Sequence, residues 1–188
     1  MKSFDLGMHR EARIWQDALP EACFSSPTTL KTSVSVRPST NGALLRCQSF
    51  CIEYKANLGG RIGYGLLGST FTTMASDILT VTVPVKSDVW ASFSTPIYRI
   101  DNVFVGLPAY FANAVLTGSM DYFADHEPIT GGNLSFVAAA FSDVGSSPDI
   151  FRRLGLASCH YFMLQVNQSR IQDDVDFDEL FSLITGDV

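Results

Sequence analysis

Apolar and polar residues alternate along several short segments of the chain, which is the pattern of half-buried β-strands. The clearest segment is residues 79–83, where a leucine and two valines point one way and two threonines the other. Residues 44–54 alternate in the same way, and residues 97–105 are rich in β-branched and aromatic residues. Residues 133–141 are almost free of polar groups, which predicts a strand in the centre of its sheet.

Two segments have the 3.6-residue period of an amphipathic helix. Pro108 suits the first turn of one of them, in which apolar residues recur as far as Gly118. Ser146 and Ser147 are typical caps for the other helix, with Pro148 in its first turn.

Weaker periodicity predicts a short helix over residues 10–18 and an acidic helix from Asp176. Along the chain, the predicted order of strands, helix, strand and helix is typical of the α+β class. We divide the chain into an N-terminal extension over residues 1–30, a single α+β domain over residues 31–166, and an acidic helical tail over residues 167–188.

The net charge of −6 lies mainly in the tail, where residues 166–188 hold six carboxylates against one arginine. A protein that coats nucleic acid needs several lysines or arginines set against phosphates. The sequence offers a single adjacent basic pair, Arg152-Arg153. It therefore argues against DNA as a partner and against general coating of nucleic acid.

Four scattered cysteines do not make a disulfide framework. Cys47 and Cys51 lie four residues apart on a predicted strand, about 13 Å, which is too far for one zinc ion. The charged first 13 residues leave no room for a signal peptide. Residues 102–120 are uncharged but contain glycines and a proline, so we expect neither a membrane span nor a membrane partner. We predict a soluble cytoplasmic protein with reduced thiols and no bound metal.

Residues 63–68 match the G-x-G-x-x-G pattern of dinucleotide-binding turns. The residues that follow do not form a convincing helix, and such a turn needs a helix N-terminus at the pyrophosphate. We interpret the segment as a flexible glycine-rich connection and predict no cofactor. The sequence contains neither a P-loop nor a G-x-S-x-G nucleophile motif.

Asp125, His126 and Glu127 form the one tight cluster of titratable residues. The cluster falls between the first helix and the central strand, where a solvated loop is the ordinary interpretation. A metal or acid–base site is the alternative, and these three residues are the candidates for catalysis. We interpret His160 as a partly buried, hydrogen-bonded histidine of the second helix.

A Leu-Pro pair is followed by Tyr-x-x-Ala-Val-x-x-Gly, then by a Gly-Gly pair before a strand, and then by a Ser-Ser pair that opens a helix. Upstream lies a Gly-Gly-Arg-x-x-Tyr-Gly motif. In this order the motifs resemble domain IV of the ribosomal translocase elongation factor G, mainly over residues 103–162. The matching residues are Gly59, Gly60, Arg61, Tyr64, Gly65, Leu107, Pro108, Tyr110, Ala114, Val115, Gly118, Gly131, Gly132, Val144, Ser146, Ser147, Phe151, Gly155 and Ala157.

The resemblance implies a fold of the ribosomal protein S5 domain 2-like class, with a left-handed βαβ unit, two main helices on one face of the sheet, and no GTPase domain. In the family, loops at the tip of this module reach the decoding region of the ribosome. One of these loops normally carries a histidine. The corresponding connection here, residues 142–145, carries neither a histidine nor a basic residue.

Three hypotheses of function follow. The first is a binding or accessory module without inferred catalysis, with the ribosome or RNA as its partner. The second is a small-molecule enzyme that uses the Asp125–Glu127 loop and the glycine-rich loop. The third is a homo-oligomeric interaction protein, which charging Phe177 or Phe181 would test.

The candidates for ligand binding are Gly59, Gly60, Arg61, Arg152 and Arg153. A pocket that contains both loops would favour the enzyme. An exposed basic face near these arginines and Arg99 would favour RNA.

Overall fold

The computed structural model describes residues 1–36, 48–57, 59–87, 90–128, 130–168 and 177–186. Within these residues, nine strands form one mixed sheet and three helices pack against it. The strands are β1 (Lys2–Asp5), β2 (Glu11–Gln16), β3 (Thr28–Ser35), β4 (Gln48–Asn57), β5 (Ile62–Thr73), β6 (Ile78–Val85), β7 (Ala91–Ser92), β8 (Val103–Val105) and β9 (Gly132–Ser142). The helices are α1 (Ala109–Asp125), α2 (Pro148–Gln168) and α3 (Phe177–Thr185).

The main path of the sheet runs β1-β2-β4-β5-β9-β6-β3, with the short strands β7 and β8 beyond it. β9 pairs with β5 on one side, and with β6 and β8 on the other. β6 and β9 run parallel, whereas the other pairs of described strands are antiparallel. Since α1 lies between β6 and β9 in the chain, these three elements make a βαβ unit with two neighbouring parallel strands.

One face of the sheet is covered by the helices. α1 packs over β6 and β3, α2 packs over β5 and β4, and the two helices contact each other. Phe111 contacts Phe151, and Tyr122 contacts His160 further along. Because the contacts follow in the same order in both helices, α1 and α2 run parallel and begin at the same end of the sheet.

Two glycines allow the helices to approach closely. A Cβ atom at Gly118 would clash with the backbone carbonyl of Arg152. A Cβ atom at Gly155 would lie 2.6 Å from the carbonyl oxygen of Val115. The crossing point of α1 and α2 therefore has room for hydrogen atoms only.

The opposite face of the sheet is covered by connections. The β2–β3 connection crosses it, with Leu19 packed near Cys51, and its residues 22–24 form backbone hydrogen bonds with β9. The segment between β7 and β8 places Tyr98 on the buried Tyr64 of β5, with 4.7 Å between the ring centroids. A second, smaller apolar cluster forms here, apart from the main core under the helices.

The structure confirms the α+β class and most of the predicted elements. Leu79, Val81 and Val83 are fully buried on β6, and β9 has partners on both sides. Both amphipathic helices are present, and α3, which lies within the predicted acidic helix, buries Leu180, Phe181 and Ile184.

Three predictions of secondary structure are wrong. Residues 11–16 form β2 instead of a helix, because Ala12 and Ile14 alternate into the core while β2 pairs with β4. The strand predicted over residues 97–105 is limited to β8, since residues 98–101 fold back toward β9 through side-chain hydrogen bonds. Residues 63–68 are part of the regular strand β5 instead of a flexible connection.

The predicted division of the chain remains a prediction. β1 and β2 lie within the predicted extension and add to the sheet beside β4, and α3 lies within the predicted tail and packs on α2. Residues 44–47 and 169–176, which include part of a predicted strand and the start of the predicted acidic helix, lie outside the described residues. None of the described helices has the length and apolarity needed to span a membrane.

Candidate functional site

The β4–β5 turn brings Arg61 to the beginning of α2. Gly59 and Gly60 have φ angles of 69° and 98°, a conformation that other residues rarely adopt, and the amide of Gly60 donates to the side chain of Asn57. The guanidinium of the exposed Arg61 then donates to the carbonyl oxygens of Val144, at 2.5 Å, and Ser146, at 3.3 Å. Arg61 and the two glycines before it are therefore joined to the β9–α2 turn.

Two serines hold the β9–α2 turn in place. The hydroxyl of Ser146 accepts a hydrogen bond from the amide of Ser142 at 2.8 Å and donates to the carbonyl of Tyr64 at 2.7 Å. Ser147 accepts from the amide of Ile150 at 3.4 Å, which confirms it as a helix cap. Ser146 was predicted to share that role, but its hydroxyl instead joins the turn to β5.

Gly145 allows a second segment to reach this turn. A Cβ atom at residue 145 would clash with the hydroxyl of Tyr98 and lie 2.7 Å from the carbonyl oxygen of Ile62. The space that the missing side chain leaves is thus filled by Tyr98, on the segment that follows β7.

Asp101 is the centre of the resulting hydrogen-bond network. Its Oδ2 atom accepts from the hydroxyl of Tyr98 at 3.1 Å and from the amide of Val144 at 3.1 Å. The single hydroxyl hydrogen of Ser142 is shared between this Oδ2 atom, at 3.2 Å, and the hydroxyl oxygen of Tyr98, at 3.1 Å. Its Oδ1 atom is buried and has no hydrogen-bond partner among the described residues. One oxygen of this carboxylate therefore joins the Tyr98 segment to the β9–α2 turn, whereas the other is enclosed by the protein.

Burial raises the pKa of Tyr98. A hydrogen bond from Ser142 and the charge of Arg61 oppose the shift, whereas Asp101 adds to it. Tyr98 is thus protonated at neutral pH and donates its hydrogen to Asp101.

A cavity of about 460 Å³ opens beside this network. Its wall includes Phe93, Thr95 and the exposed Arg99, together with Asp101 and Asn102. The cavity combines an aromatic surface, a carboxylate and a guanidinium, which is a set of groups that can bind a small polar ligand.

Arg152 and Arg153, which were predicted to bind a ligand, form ion pairs within the protein. Arg152 pairs with Asp121 of α1 at 2.6 Å, and Arg153 pairs with Asp149 at 2.9 Å. Arg153 also donates to the carbonyl of Thr185 at the end of α3. Arg152 thus connects α2 to α1, and Arg153 connects the first turns of α2 to each other and to the end of α3. Both lie near the same end of α2 as Arg61.

The Asp125–Glu127 loop lies at the other end of the sheet. The amide of His126 donates to the carbonyl of Tyr122 at 3.1 Å, and its ring stacks on the ring of Tyr122 with 4.4 Å between centroids. Asp125, His126 and Glu127 are exposed. The main role of His126 that the structure describes is therefore to end α1.

The structure brings His160 close to this loop, which the sequence did not indicate. The Nδ1 atom of His160 lies 3.5 Å from the hydroxyl of Tyr122, and its buried Nε2 atom lies 3.7 Å from Glu179 of α3. Burial lowers the pKa of His160, Glu179 opposes this shift, and His126 adds to it. His160 is therefore neutral at pH 7, and the interpretation of a buried histidine with a hydrogen-bond partner agrees with the structure.

Burial raises the pKa of the three described thiols, which disfavours the reactive thiolate, and of these three only Cys23 is exposed. Cys51 and Cys159 are buried, and burial raises the pKa of both, to about 12 for Cys159. Cys47 lies outside the described residues. In the described part of the chain, no group of three histidine, cysteine, aspartate or glutamate side chains is arranged to hold a metal ion.

The two predicted loops are separated by the whole of β9. The Asp125–Glu127 loop precedes β9, whereas Arg61 binds the turn that follows it. β9 has 11 residues, which corresponds to about 35 Å. The loops do not share a pocket.

Sequence reasoning found Arg61 and its glycines but missed Tyr98, Asp101 and Ser142. Asp101 reaches partners 41 and 43 residues away along the chain, so no local spacing could reveal the network. Neither the models of known protein families nor the curated protein sequences give a match to this chain.

Proposed function

We propose that this protein is an RNA-binding accessory module of the ribosomal protein S5 domain 2-like class. The neighbouring parallel strands β6 and β9, joined through α1, and the packing of α1 and α2 on one face support the class. The resemblance to domain IV of elongation factor G supports it independently. The ribosome is the specific partner that this resemblance suggests.

The proposed contact surface is the end face, which we define as Arg61, Arg99 and the β9–α2 turn (residues 142–147). Both arginines are exposed, and neither forms an ion pair with the described residues. Because α1 and α2 run parallel, the positive ends of both helix dipoles also point toward this end. The observation that carries the proposal is that two arginines without an ion pair to the described residues lie at the same end of the sheet as two helix N-termini.

The overall charge sets the expected strength of binding. The net charge of −6 opposes the binding of a polyanion, and the carboxylates of Asp101 and Asp143 offset the two arginines at the end face. Two phosphate contacts on a single strand give a dependence of log K on log salt of about −1.4, at about −0.7 for each contact. We therefore expect weak binding that is lost easily as salt rises.

Fluorescence anisotropy with a labelled single-stranded RNA of ten uridines, measured at several salt concentrations, tests the proposal. Arg61→Gln and Arg99→Gln should each weaken binding and reduce the salt slope by about 0.7. Lys31→Gln removes an exposed positive charge from the edge strand β3 and serves as the matched control. An equal effect of all three variants, or no binding at low salt, would contradict a specific end face.

Ribosome co-sedimentation tests the narrower partner. Pelleting that weakens with salt, and that Arg61→Gln and Arg99→Gln reduce, would support the ribosome. Binding of the RNA oligomer without pelleting would support the RNA contact and exclude the ribosome as the partner.

The residues named for the two alternative functions do not support them. The enzyme hypothesis needs the Asp125–Glu127 loop and the glycine-rich loop in one pocket, and the two loops lie at opposite ends of β9. The test chosen for the oligomer hypothesis used Phe177 and Phe181, but both rings pack against Phe4 of the same chain. Charging either ring would break an intramolecular contact and would not report on assembly.

A further inference from the structure

The two edges of the sheet differ in how well they are protected against further strand pairing. β1, at one edge, has four residues, of which Lys2 and Asp5 are charged. β3, at the other end of the main path, has eight residues with the single charge of Lys31, and it pairs with β6 without a bulge. No described strand pairs with the outer side of β3. A long and regular edge of this kind is a template for another strand.

The register of β3 on β6 determines which backbone groups face outward. The amide of Val36 donates to the carbonyl of Asp77, which continues the β3–β6 register by one pair. In an antiparallel pair, every second residue directs both its N–H and its C=O toward the neighbouring strand. The even-numbered residues of β3 therefore bond to β6, and the odd-numbered residues direct both groups outward. These residues are Thr29, Lys31, Ser33 and Ser35.

A second copy of β3 can satisfy all of these outward groups. When two antiparallel copies are aligned about a twofold axis through Thr32, Thr29 of one copy lies opposite Ser35 of the other, and Lys31 lies opposite Ser33. Every outward residue then faces another outward residue, and each such pair exchanges two hydrogen bonds. Any other twofold register leaves at least one of the four residues without a partner in β3. The strand is therefore self-complementary in a single register.

The side chains of β3 fit the same register. Leu30 and Val34 are half-buried against the main core under the helices, and each would lie opposite the other across the axis. Thr32 would face its own copy, and a threonine pair is favourable between neighbouring strands. Lys31 would face Ser33 instead of a second lysine. The pairing thus opposes no like charges.

α1 presents an uncharged side above this edge. The hydroxyl of Thr32 contacts the sulfur of Met120 at 3.3 Å, so Met120 lies beside the proposed axis. The residues at helical spacing on the same side of α1 are exposed and uncharged, namely Asn113, Thr117 and Ala124. Asn113 and Thr117 already donate to carbonyl oxygens of their own helix, at 2.9 and 3.0 Å, which lowers the cost of burying them.

Strand pairing would also bring two copies of α1 to packing distance. Neighbouring strands lie about 4.8 Å apart. Because α1 packs over both β3 and β6, a helix centred between these strands lies about 5 Å from the axis and about 10 Å from its copy. Packed helices have axes about 8–10 Å apart. The edge of β3 and the uncharged side of α1 therefore form one continuous surface.

We propose that this surface is a homodimer interface, in which two copies of the chain pair antiparallel through β3 about a twofold axis at Thr32 and pack α1 against α1. The occupant is a second copy because the backbone groups, the side chains and the charges of β3 all match their own copy in one register. The interface lies at the opposite edge of the sheet from Phe177 and Phe181, which pack on β1, and it does not depend on the proposed RNA contact.

The size of the surface sets the expected affinity. The eight residues of β3 and the four of α1 amount to about half of the 20–30 residues that each partner contributes to a standard interface. We expect a reversible dimer with a dissociation constant on the order of 10 µM. In sedimentation velocity from about 1 to about 200 µM, the mass should rise from the 20.6 kDa of one chain to twice that value. A monomer at the highest concentration would overturn the proposal.

Ser33→Pro tests the strand pairing. Proline at residue 33 removes an N–H that faces outward and leaves the bonds of the neighbouring residues to β6 in place. We expect dimerisation to weaken at least about tenfold, which corresponds to the loss of about one hydrogen bond. Ser33→Ala keeps the N–H and is the matched control, which should dimerise like the wild type. A folded Ser33→Pro protein that dimerises like Ser33→Ala would overturn pairing through β3.

Cysteine substitution tests the register. Two copies of residue 32 would form a non-hydrogen-bonded pair with Cα atoms about 4.5 Å apart, within the range of a disulfide. Two copies of residue 33 would be diagonal neighbours about 8 Å apart, beyond that range. Under a mild oxidant, Thr32→Cys should therefore form a covalent dimer faster than Ser33→Cys and faster than the wild type, whose Cys23 is exposed. Equal rates for Thr32→Cys and Ser33→Cys would overturn the register.

Charge exchange at Met120 tests the helix contact without altering the strand. The side chain is 36% exposed, so Met120→Glu and Met120→Lys should both fold, which circular dichroism checks. Each variant alone should be monomeric at a concentration at which the wild type dimerises, because two like charges would meet beside the axis. An equimolar mixture of the two variants should recover the dimer. Dimerisation of each variant like the wild type, or no recovery in the mixture, would overturn the packing of α1 against α1.

Discussion

The two faces of the sheet are covered by different kinds of structure, and their chemistry differs accordingly. The helices on one face satisfy their own backbone hydrogen bonds, so they can bury an almost purely apolar layer. The opposite face is crossed by irregular connections, whose backbone groups need polar partners. On that face Arg13, Glu53 and Tyr64 form a buried network, and Asp101 forms a second one beside the open cavity.

The helix-covered face also buries polar side chains, and these lie between packed helices. Tyr122 and His160 are buried between α1, α2 and α3, and burial raises the pKa of Tyr122. The hydroxyl of Tyr122 lies 3.5 Å from Nδ1 of His160, and Nε2 of His160 lies 3.7 Å from Glu179. The perturbed pKa values of this face therefore arise where helices pack together, whereas the cavity of about 460 Å³ lies beside Asp101 on the other face.

The largest expected effect comes from breaking the buried ion pair on the connection-covered face. Glu53 is fully buried and accepts hydrogen bonds from Arg13 at 3.0 Å and from Tyr64 at 2.9 Å. Glu53→Gln leaves the nearly buried guanidinium of Arg13 without a counter-ion. We expect the free energy of unfolding, measured by urea denaturation, to fall by about 3–5 kcal/mol.

The chain provides a matched control for this variant. Glu11 and Lys55 form an ion pair between the same two strands, at 2.6 Å, but the side chain of Glu11 is 42% exposed. Glu11→Gln should cost less than about 1 kcal/mol. Equal losses for the two variants would mean that burial does not distinguish the pairs and that the polar network of this face adds little to stability.

The helix face should respond instead to changes in packing. Gly118→Ala places a methyl group against the backbone carbonyl of Arg152, so α1 and α2 must move apart. We expect a loss of about 2–3 kcal/mol in the free energy of unfolding, in spite of the higher helix propensity of alanine.

Thr117→Ala, at the exposed neighbouring position of α1, controls for helix propensity and should change stability by less than about 0.5 kcal/mol. If Gly118→Ala were as harmless as this control, the close crossing of the two helices would be refuted.

The same contrast explains how much of the fold could be predicted from the sequence. β6, α1 and α2 were predicted because each has one clear period, and β9 was predicted because its run is almost free of polar groups. β2 was mistaken for a helix because the charged and apolar positions of its six residues fit a helical period as well as an alternating one. Only the pairing with β4 decides between the two. Short segments depend on partners that are distant in the chain.

The candidate site was predictable only where a motif is local. Arg61 was found because it follows two glycines in a motif that resembles a known family. Asp101 and Tyr98 were placed in a predicted strand, where neither would have met Ser142. The network forms because β8 pairs with the end of β9 and Gly145 leaves space for the hydroxyl of Tyr98. Such a tertiary arrangement leaves no periodic signal in the sequence.

The smallest expected effect is the pH dependence of the helix face. Burial holds the pKa of His160 below its ordinary value of about 6.5, against the opposing charge of Glu179. The unfolded chain therefore takes up a proton at a higher pH than the folded protein, so stability is lost as the pH falls below about 6.5. In urea denaturation between pH 7 and 5, the wild-type protein should lose more stability than His160→Gln.

His9→Gln, in the exposed turn between β1 and β2, should behave like the wild type. An identical pH dependence in the wild type and His160→Gln would show that His160 is protonated without cost in the folded state, and that the helix face is less closed than its packing indicates.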